Sequence, residues 1–269
     1  MSLPTRWARF RSHEGRIGFG LFADDRIAEY EGDPFDSPRP VGTTLERGSF
    51  TLLAPCTPSK MVALWNNFRA LAAKLGKQAP AHPLFLIKPG TCIIGPDEAI
   101  QRPSGYAGKI AYEGELGIVV GRRCKDVPLG AASSYIFGYT CVNDVTAADV
   151  LNETPDFAQW CRSKGYDTFG CIGPVIATDI DIAQARIITR LGDSERQNYP
   201  LSDMILSPAE LVSRISHDMT LLPGDVIACG TSLGVGSIRD GIAVEITIDG
   251  IGSLTNVLAP ASSTTAPTV

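Results

Sequence analysis

Glu113 and Glu115 stand two residues apart in the stretch Tyr112-Glu113-Gly114-Glu115-Leu116-Gly117-Ile118-Val119-Val120. Asp144 closes a second apolar run, Phe137-Gly138-Tyr139-Thr140-Cys141-Val142-Asn143-Asp144. A strand turns alternate side chains to opposite faces, so the two glutamates emerge together. Two carboxylates on one face raise each other's pKa unless a cation lies between them. A third carboxylate at the end of a neighbouring strand completes an all-oxygen donor set for a hard divalent ion such as Mg²⁺, Mn²⁺ or Ca²⁺. On spacing alone, plainer readings stand beside this one. The glutamates fit a solvated edge strand, Asp144 with Thr146 fits a helix cap, and Lys164 with Asp167 fits a surface ion pair.

The elements that must position these residues read as a β-rich chain. Residues 1–53 form a small N-terminal β-rich domain, with a strand over Arg16–Phe22, a turn at Asp24-Asp25-Arg26 and a second strand from Ile27. Pro34, Pro38 and Pro40 predict an irregular connection. Leu64, Phe68, Leu71 and Leu75 recur at helical spacing and predict a helix over 63–75, closed by Gly76. Short apolar runs at 84–87, 92–94, 110–112, 116–120, 136–143, 175–177, 187–189, 226–229 and 243–248 predict strands. Thr146–Leu151 reads as the first turns of a helix capped near Asp144 or Thr146, and Pro208–Ile215 as a helix with Pro at its start. Residues 54–258 form the second, catalytic domain, and 259–269 are a low-complexity tail expected to be disordered.

Composition narrows the function classes. A charged fraction of 20% with 44% hydrophobic residues belongs to a globular chain. A net charge of -5 and no strongly basic stretch argue against nucleic acid. Residues 1–20 hold no long apolar run, so neither a signal peptide nor a membrane span is expected. The seven cysteines are odd in number and form no C-x-x-C pair, which points to a reducing cytoplasm rather than disulfides or a thiolate zinc site. None of the three histidines, His13, His82 and His217, lies in a nucleophile motif.

Several blocks in order then resemble the fumarylacetoacetate hydrolase family, across about residues 53–258. They are Phe85-Leu86-Ile87-Lys88-Pro89, Glu113-Gly114-Glu115-Leu116, Gly138-Tyr139-Thr140 through Asn143-Asp144-Val145-Thr146, Lys164-Gly165-Tyr166-Asp167-Thr168-Phe169 leading to Gly173-Pro174, Leu222-Pro223-Gly224-Asp225, and Gly230-Thr231-Ser232-Leu233-Gly234-Val235-Gly236. The resemblance implies an α+β, β-rich fold with a mixed, rolled sheet flanked by short helices, and a homodimer. It implies Mg²⁺ or Mn²⁺ held by Glu113, Glu115 and Asp144, with Lys164 as the catalytic lysine and Gly230 and Thr231 binding substrate. The substrate is then a 2-oxo or 1,3-diketo acid from aromatic catabolism. A 2-oxo acid can chelate one cation, which acts as a Lewis acid and stabilises an enolate.

The hydrolytic members carry a His–Glu pair that activates water and an Arg and Gln that grip substrate. Leu71, Lys74, Ala148 and Leu151 stand at those positions here. Leucine transfers no proton, and lysine is normally protonated at neutral pH. Hydrolysis of a C–C bond heads the expectations, with His13, Glu14, His82 or Glu153 as substitute bases. Isomerisation or decarboxylation, or a less polar substrate, is the alternative. A degenerate paralogue that binds metal without turnover is the third reading.

Overall fold

The structure, a computed structural model, describes residues 4–260. The chain opens with β1 (Arg6–Ser12), β2 (Ile17–Ala23), β3 (Arg26–Asp33), β4 (Asp36–Leu45) and β5 (Phe50–Leu52). Next come β6 (Lys60–Trp65), α1 (Arg69–Lys74), β7 (Leu84–Pro89), β8 (Ile93–Ile94), β9 (Ile110–Tyr112) and β10 (Gly114–Val120). The middle holds α2 (Leu129–Ala132), β11 (Ile136–Asp144), β12 (Thr146–Ala147), α3 (Ala148–Leu151), α4 (Trp160–Lys164) and β13 (Gly170–Ala177). β14 (Arg186–Leu191), β15 (Ser194–Pro200), α5 (Pro208–Asp218), β16 (Val226–Ala228), β17 (Gly236–Ser237), β18 (Ala243–Ile248) and β19 (Gly252–Val257) complete it.

The main sheet has 12 strands, in the order β4-β3-β2-β1-β13-β11-β10-β16-β6-β7, with β5 on β1 and β8 on β13. It is mixed, because β6 runs parallel to β16 and β8 parallel to β13. A four-stranded sheet, β15-β14-β18-β19, and a three-stranded one, β12-β9-β17, complete the body. This is the strand-rich, mixed-sheet fold with short helices that the resemblance implied. All seven cysteines are free.

Every residue of β10 is buried. Leu116, Ile118 and Val120 pack into one apolar cluster, and Val119 into a second with Val142, Ile172 and Leu86. A strand covered on both faces reads as a continuous apolar run, as Leu116–Val120 does. The odd-numbered positions, Glu113 and Glu115 among them, thus share the second cluster's side of the sheet.

Some expected elements differ. The helix expected over 63–75 is a strand through Trp65 and a helix only from Arg69. Met61, Val62, Ala63 and Leu64 are buried, and a short apolar run buried on both faces looks alike in strand and helix. The connection expected around Pro34, Pro38 and Pro40 is largely β4, the sheet's edge strand, where prolines leave no central hydrogen bond unmade. Thr146 lies in β12, and α3 has Ala147 at its N-cap with no side-chain cap. β1 and β15 were not anticipated. In the expected tail, Ala259 N–H donates to Ile100 O, and residues 261–269 lie outside the described residues.

Candidate metal centre

Strand register brings the carboxylates together. In the antiparallel pair β10–β11, Glu115 faces Val142 and Gly114 faces Asn143. One step further, Asp144 N–H donates to Glu113 O at 3.0 Å. Cross-strand neighbours project to the same face, so Asp144 joins Glu113 and Glu115. A ligand oxygen from each of the three lies within 4.8 Å of the others. The edge-strand reading of the glutamates fails, because Glu115 and Asp144 are 0% and 1% exposed.

Two lysines meet this cluster. Lys164, the last residue of α4, donates to Asp144 Oδ2 at 2.7 Å, Glu113 Oε1 at 2.9 Å and Thr146 Oγ1 at 2.7 Å. Those bonds use all three ammonium protons, and the surface-pair reading of Lys164 is thereby set aside. Lys88, at the end of β7 and fully buried, donates to Asp144 Oδ1 and, at 2.8 Å, to Phe169 O. Lys88 was assigned no role from sequence, and Thr146 only that of a helix cap. Lys88 shares its strand face with buried Leu86, and a lysine closing a buried alternation is the signal that marks it.

Burial alone would raise Asp144, but Lys164 and Lys88 outweigh it and hold its carboxyl below the usual range. Burial would likewise lower Lys164, but Asp144, Glu113 and Glu115 outweigh it and keep it protonated. Glu115 goes the other way. Burial, then Asp144 and Glu113, push it well above the usual carboxylate range. Its Oε2 accepts Gly230 N–H at 2.8 Å, while Oε1 is buried with no hydrogen-bond partner among the described residues. Three carboxylates against two ammoniums leave a negative charge over when all are ionised. A hard divalent cation fits this oxygen-only set: it would neutralise that charge and satisfy the orphaned oxygen.

Gly230 and Thr231 sit where the chain returns from β16. Gly230 has φ +86, and a Cβ there would meet Leu64 O at 3.2 Å. Glycine is thus what lets this backbone aim its N–H at Glu115. Thr231 Oγ1 donates to Gly114 O at 3.0 Å and accepts from Gln197 Nε2 at 2.8 Å. Gly114, between the two glutamates, is gripped from the four-stranded sheet. Its N–H donates to Gln197 Oε1 at 3.0 Å, and its carbonyl also accepts from Tyr199 Oη at 2.5 Å. A Cβ on Gly114 would lie 2.1 Å from Thr189 Oγ1. Sequence reasoning missed Gln197 and Tyr199 because β15 is mostly polar. Their alternation of burial with exposed neighbours is the period-two signal it carries.

A cleft of about 240 Å³ opens over the cluster. Asn66, Glu113, Thr146, Lys164 and Thr231 contribute its polar lining. Leu64, Leu71, Leu86, Leu151, Val235 and the indoles of Trp65 and Trp160 line the rest, the two rings 5.8 Å apart. None of the substitute bases lines it. His13, Glu14 and His82 are exposed, and Glu153 is exposed and paired with Arg162.

Comparison with known proteins agrees with this geometry. Residues 60–259 match the family described as fumarylacetoacetate (FAA) hydrolase C-terminal, and residues 5–55 the one described as Rv2993c-like, N-terminal. Protein Rv2993c of Mycobacterium tuberculosis is 43% identical over 251 residues, 92% of each chain. Oxaloacetate tautomerase YisK of Bacillus subtilis is 31% identical over 243 residues, 86% of this chain and 80% of the relative. The crystal structure of 2-hydroxyhepta-2,4-diene-1,7-dioate isomerase from Mycobacterium marinum matches with a TM-score of 0.87 at 38% identity, over 97% of this chain and 100% of that one. An acidic triad on neighbouring antiparallel strands, a buried lysine upon it and these matches together place the chain: it belongs to the fumarylacetoacetate hydrolase family of divalent-metal-dependent enzymes.

Proposed function

We propose that this chain is a Mg²⁺- or Mn²⁺-dependent enzyme that shifts a proton on a 2-oxo acid, interconverting keto and enol forms or isomerising a conjugated 2-oxo acid. The observation that carries this reading is Lys164, 4% exposed and held by Glu113, Asp144 and Thr146 at a mostly apolar cleft. Glu113, Glu115 and Asp144 would hold the cation, which when bound supplies a Lewis acid for the keto and carboxylate oxygens of the substrate.

Lys164 supplies a fixed positive charge for an enolate oxygen. Asp144, Glu113 and Glu115 outweigh its burial and favour its protonated form. Lys88 keeps Asp144 ionised, and the apolar walls thin the water that would screen these charges. Gly230 and Thr231 act by holding Glu115 and Gly114 in place. Hydrolysis asks for more, namely a base that takes a proton from water. Leu71, at the position of the family histidine, lines the cleft, and Lys74 is exposed. Keto–enol interconversion consumes no water and breaks no C–C bond: a proton passes from carbon 3 to solvent and one from solvent reaches the keto oxygen beside Lys164, and two relatives bear the names of a tautomerase and an isomerase. The same reading takes the protein as a homodimer working in the cytoplasm.

An ultraviolet assay of the enol form of an aryl 2-oxo monocarboxylic acid, phenylpyruvate, with Mn²⁺ or Mg²⁺ and ¹⁸O-labelled water, tests it. Metal-dependent loss of enol absorbance without cleavage is expected, and Glu115→Ala removes it. Cleavage of an acylpyruvate with uptake of label would instead establish hydrolysis.

A further inference from the structure

We infer that the cleft selects 2-oxo monocarboxylic acids with an apolar tail over 2-oxo dicarboxylic acids. The inference rests on the proposed function, in which the 2-oxo acid head lies over Glu113, Glu115 and Asp144.

Glu113 and Lys164 are the only charged side chains among the described residues that line the cleft. Both belong to the end that takes the head. The ammonium protons of Lys164 already go to Asp144, Glu113 and Thr146, and the Thr231 proton goes to Gly114 O. Beyond them a tail meets Leu71, Leu86, Leu151, Val235, Trp65 and Trp160, and one neutral polar side chain, Asn66, whose Nδ2 donates to Gln78 O and whose Oδ1 can only accept. A second carboxylate there would leave water with no cation to meet it, and a buried charge without a partner is strongly disfavoured. Arg196 and Arg239 line a separate cleft that shares only Val235 with this one. Arg162 is engaged by Glu153, and Lys74 is exposed and does not line the cleft. Each methylene placed on these walls gains a constant increment, equivalent to about fourfold in affinity. The tilted indoles of Trp65 and Trp160, 5.8 Å apart, also suit a flat conjugated or aryl tail.

Calorimetric titration of the Mn²⁺-loaded protein tests this without reference to turnover. The ligands are pyruvate, 2-oxobutanoate, 2-oxopentanoate, 2-oxohexanoate and 2-oxoglutarate. Affinity is expected to rise about fourfold per methylene. 2-Oxoglutarate is expected to bind at least about tenfold more weakly than 2-oxohexanoate, which has an ethyl group in place of the second carboxylate. Leu151→Arg should reverse that order. Pyruvate binding with a flat series, or 2-oxoglutarate binding as tightly as 2-oxohexanoate, overturns the selectivity while leaving the head-group site standing. Failure of all five to bind the loaded protein overturns both readings.

Discussion

At the scale of single residues, the site is decided by which charges are paired. Asp144 has a lysine on each oxygen, while Glu115 Oε1 has no partner among the described residues. Two predictions follow from that asymmetry. Because Glu115 is raised, it carries a proton at pH values where a free glutamate would not, and an arriving cation must displace it. Metal affinity should therefore rise with pH, with a net number of protons released as the ion binds. Calorimetry in two buffers of different ionisation enthalpy measures that number, and an affinity independent of pH would contradict the assignment. The second concerns Lys164. Lys164→Met should lower kcat by about 10²–10³-fold, as for removal of one electrostatic stabiliser, while Mn²⁺ still binds. Loss of Mn²⁺ binding along with activity would make Lys164 a structural residue. The triad itself was legible in the sequence, because acidic residues two apart beside an apolar run restrict the choices. The role of Lys88 was not, since nothing in Phe85-Leu86-Ile87-Lys88 says which strand its ammonium will meet.

At the scale of elements, the three carboxylates are held by two sheets rather than by one hairpin. β10 and β11 supply the register, and β15 grips Gly114 from the other side through Gln197 and Tyr199. Thr231 completes the grip from the loop after β16. Gln197→Ala would leave Gly114 N–H buried without an acceptor, a cost of about 1–3 kcal/mol. It should also loosen Glu113 and Glu115 together. We expect a lower Tm and roughly tenfold weaker Mn²⁺ binding, the equivalent of about 1.4 kcal/mol lost at the site. Tyr199→Phe, which removes one of two donors to Gly114 O, should be milder on both measures. A stability loss with unchanged Mn²⁺ affinity would show that the grip serves the fold alone. Helix and strand assignments went astray where both faces are covered, as in β6, or where the strand lies at the edge, as in β4. In neither place does side-chain patterning carry the distinction.

At the scale of the whole molecule, the N-terminal strands are continuous with the catalytic sheet, since β1 pairs with β13. No helix among the described residues is long and apolar enough to cross a membrane. The proposed homodimer belongs to this scale. Light scattering coupled to size exclusion should give twice the 28.7 kDa of one chain, and the monomer mass at micromolar concentration would refute it. By itself the sequence determined the donor chemistry, the β-rich class and the absence of the family His–Glu pair at Leu71 and Lys74. Those are properties of residue type and near-neighbour spacing, which a chain carries whether folded or not. The tertiary structure decided that Asp144 faces Glu113, that Lys88 and Lys164 neutralise it from two different elements, and that Gln197 holds the backbone between the glutamates. Each of those contacts joins residues from 20 to 83 positions apart. Packing of one sheet against another fixes such distances, and spacing along the chain does not record it.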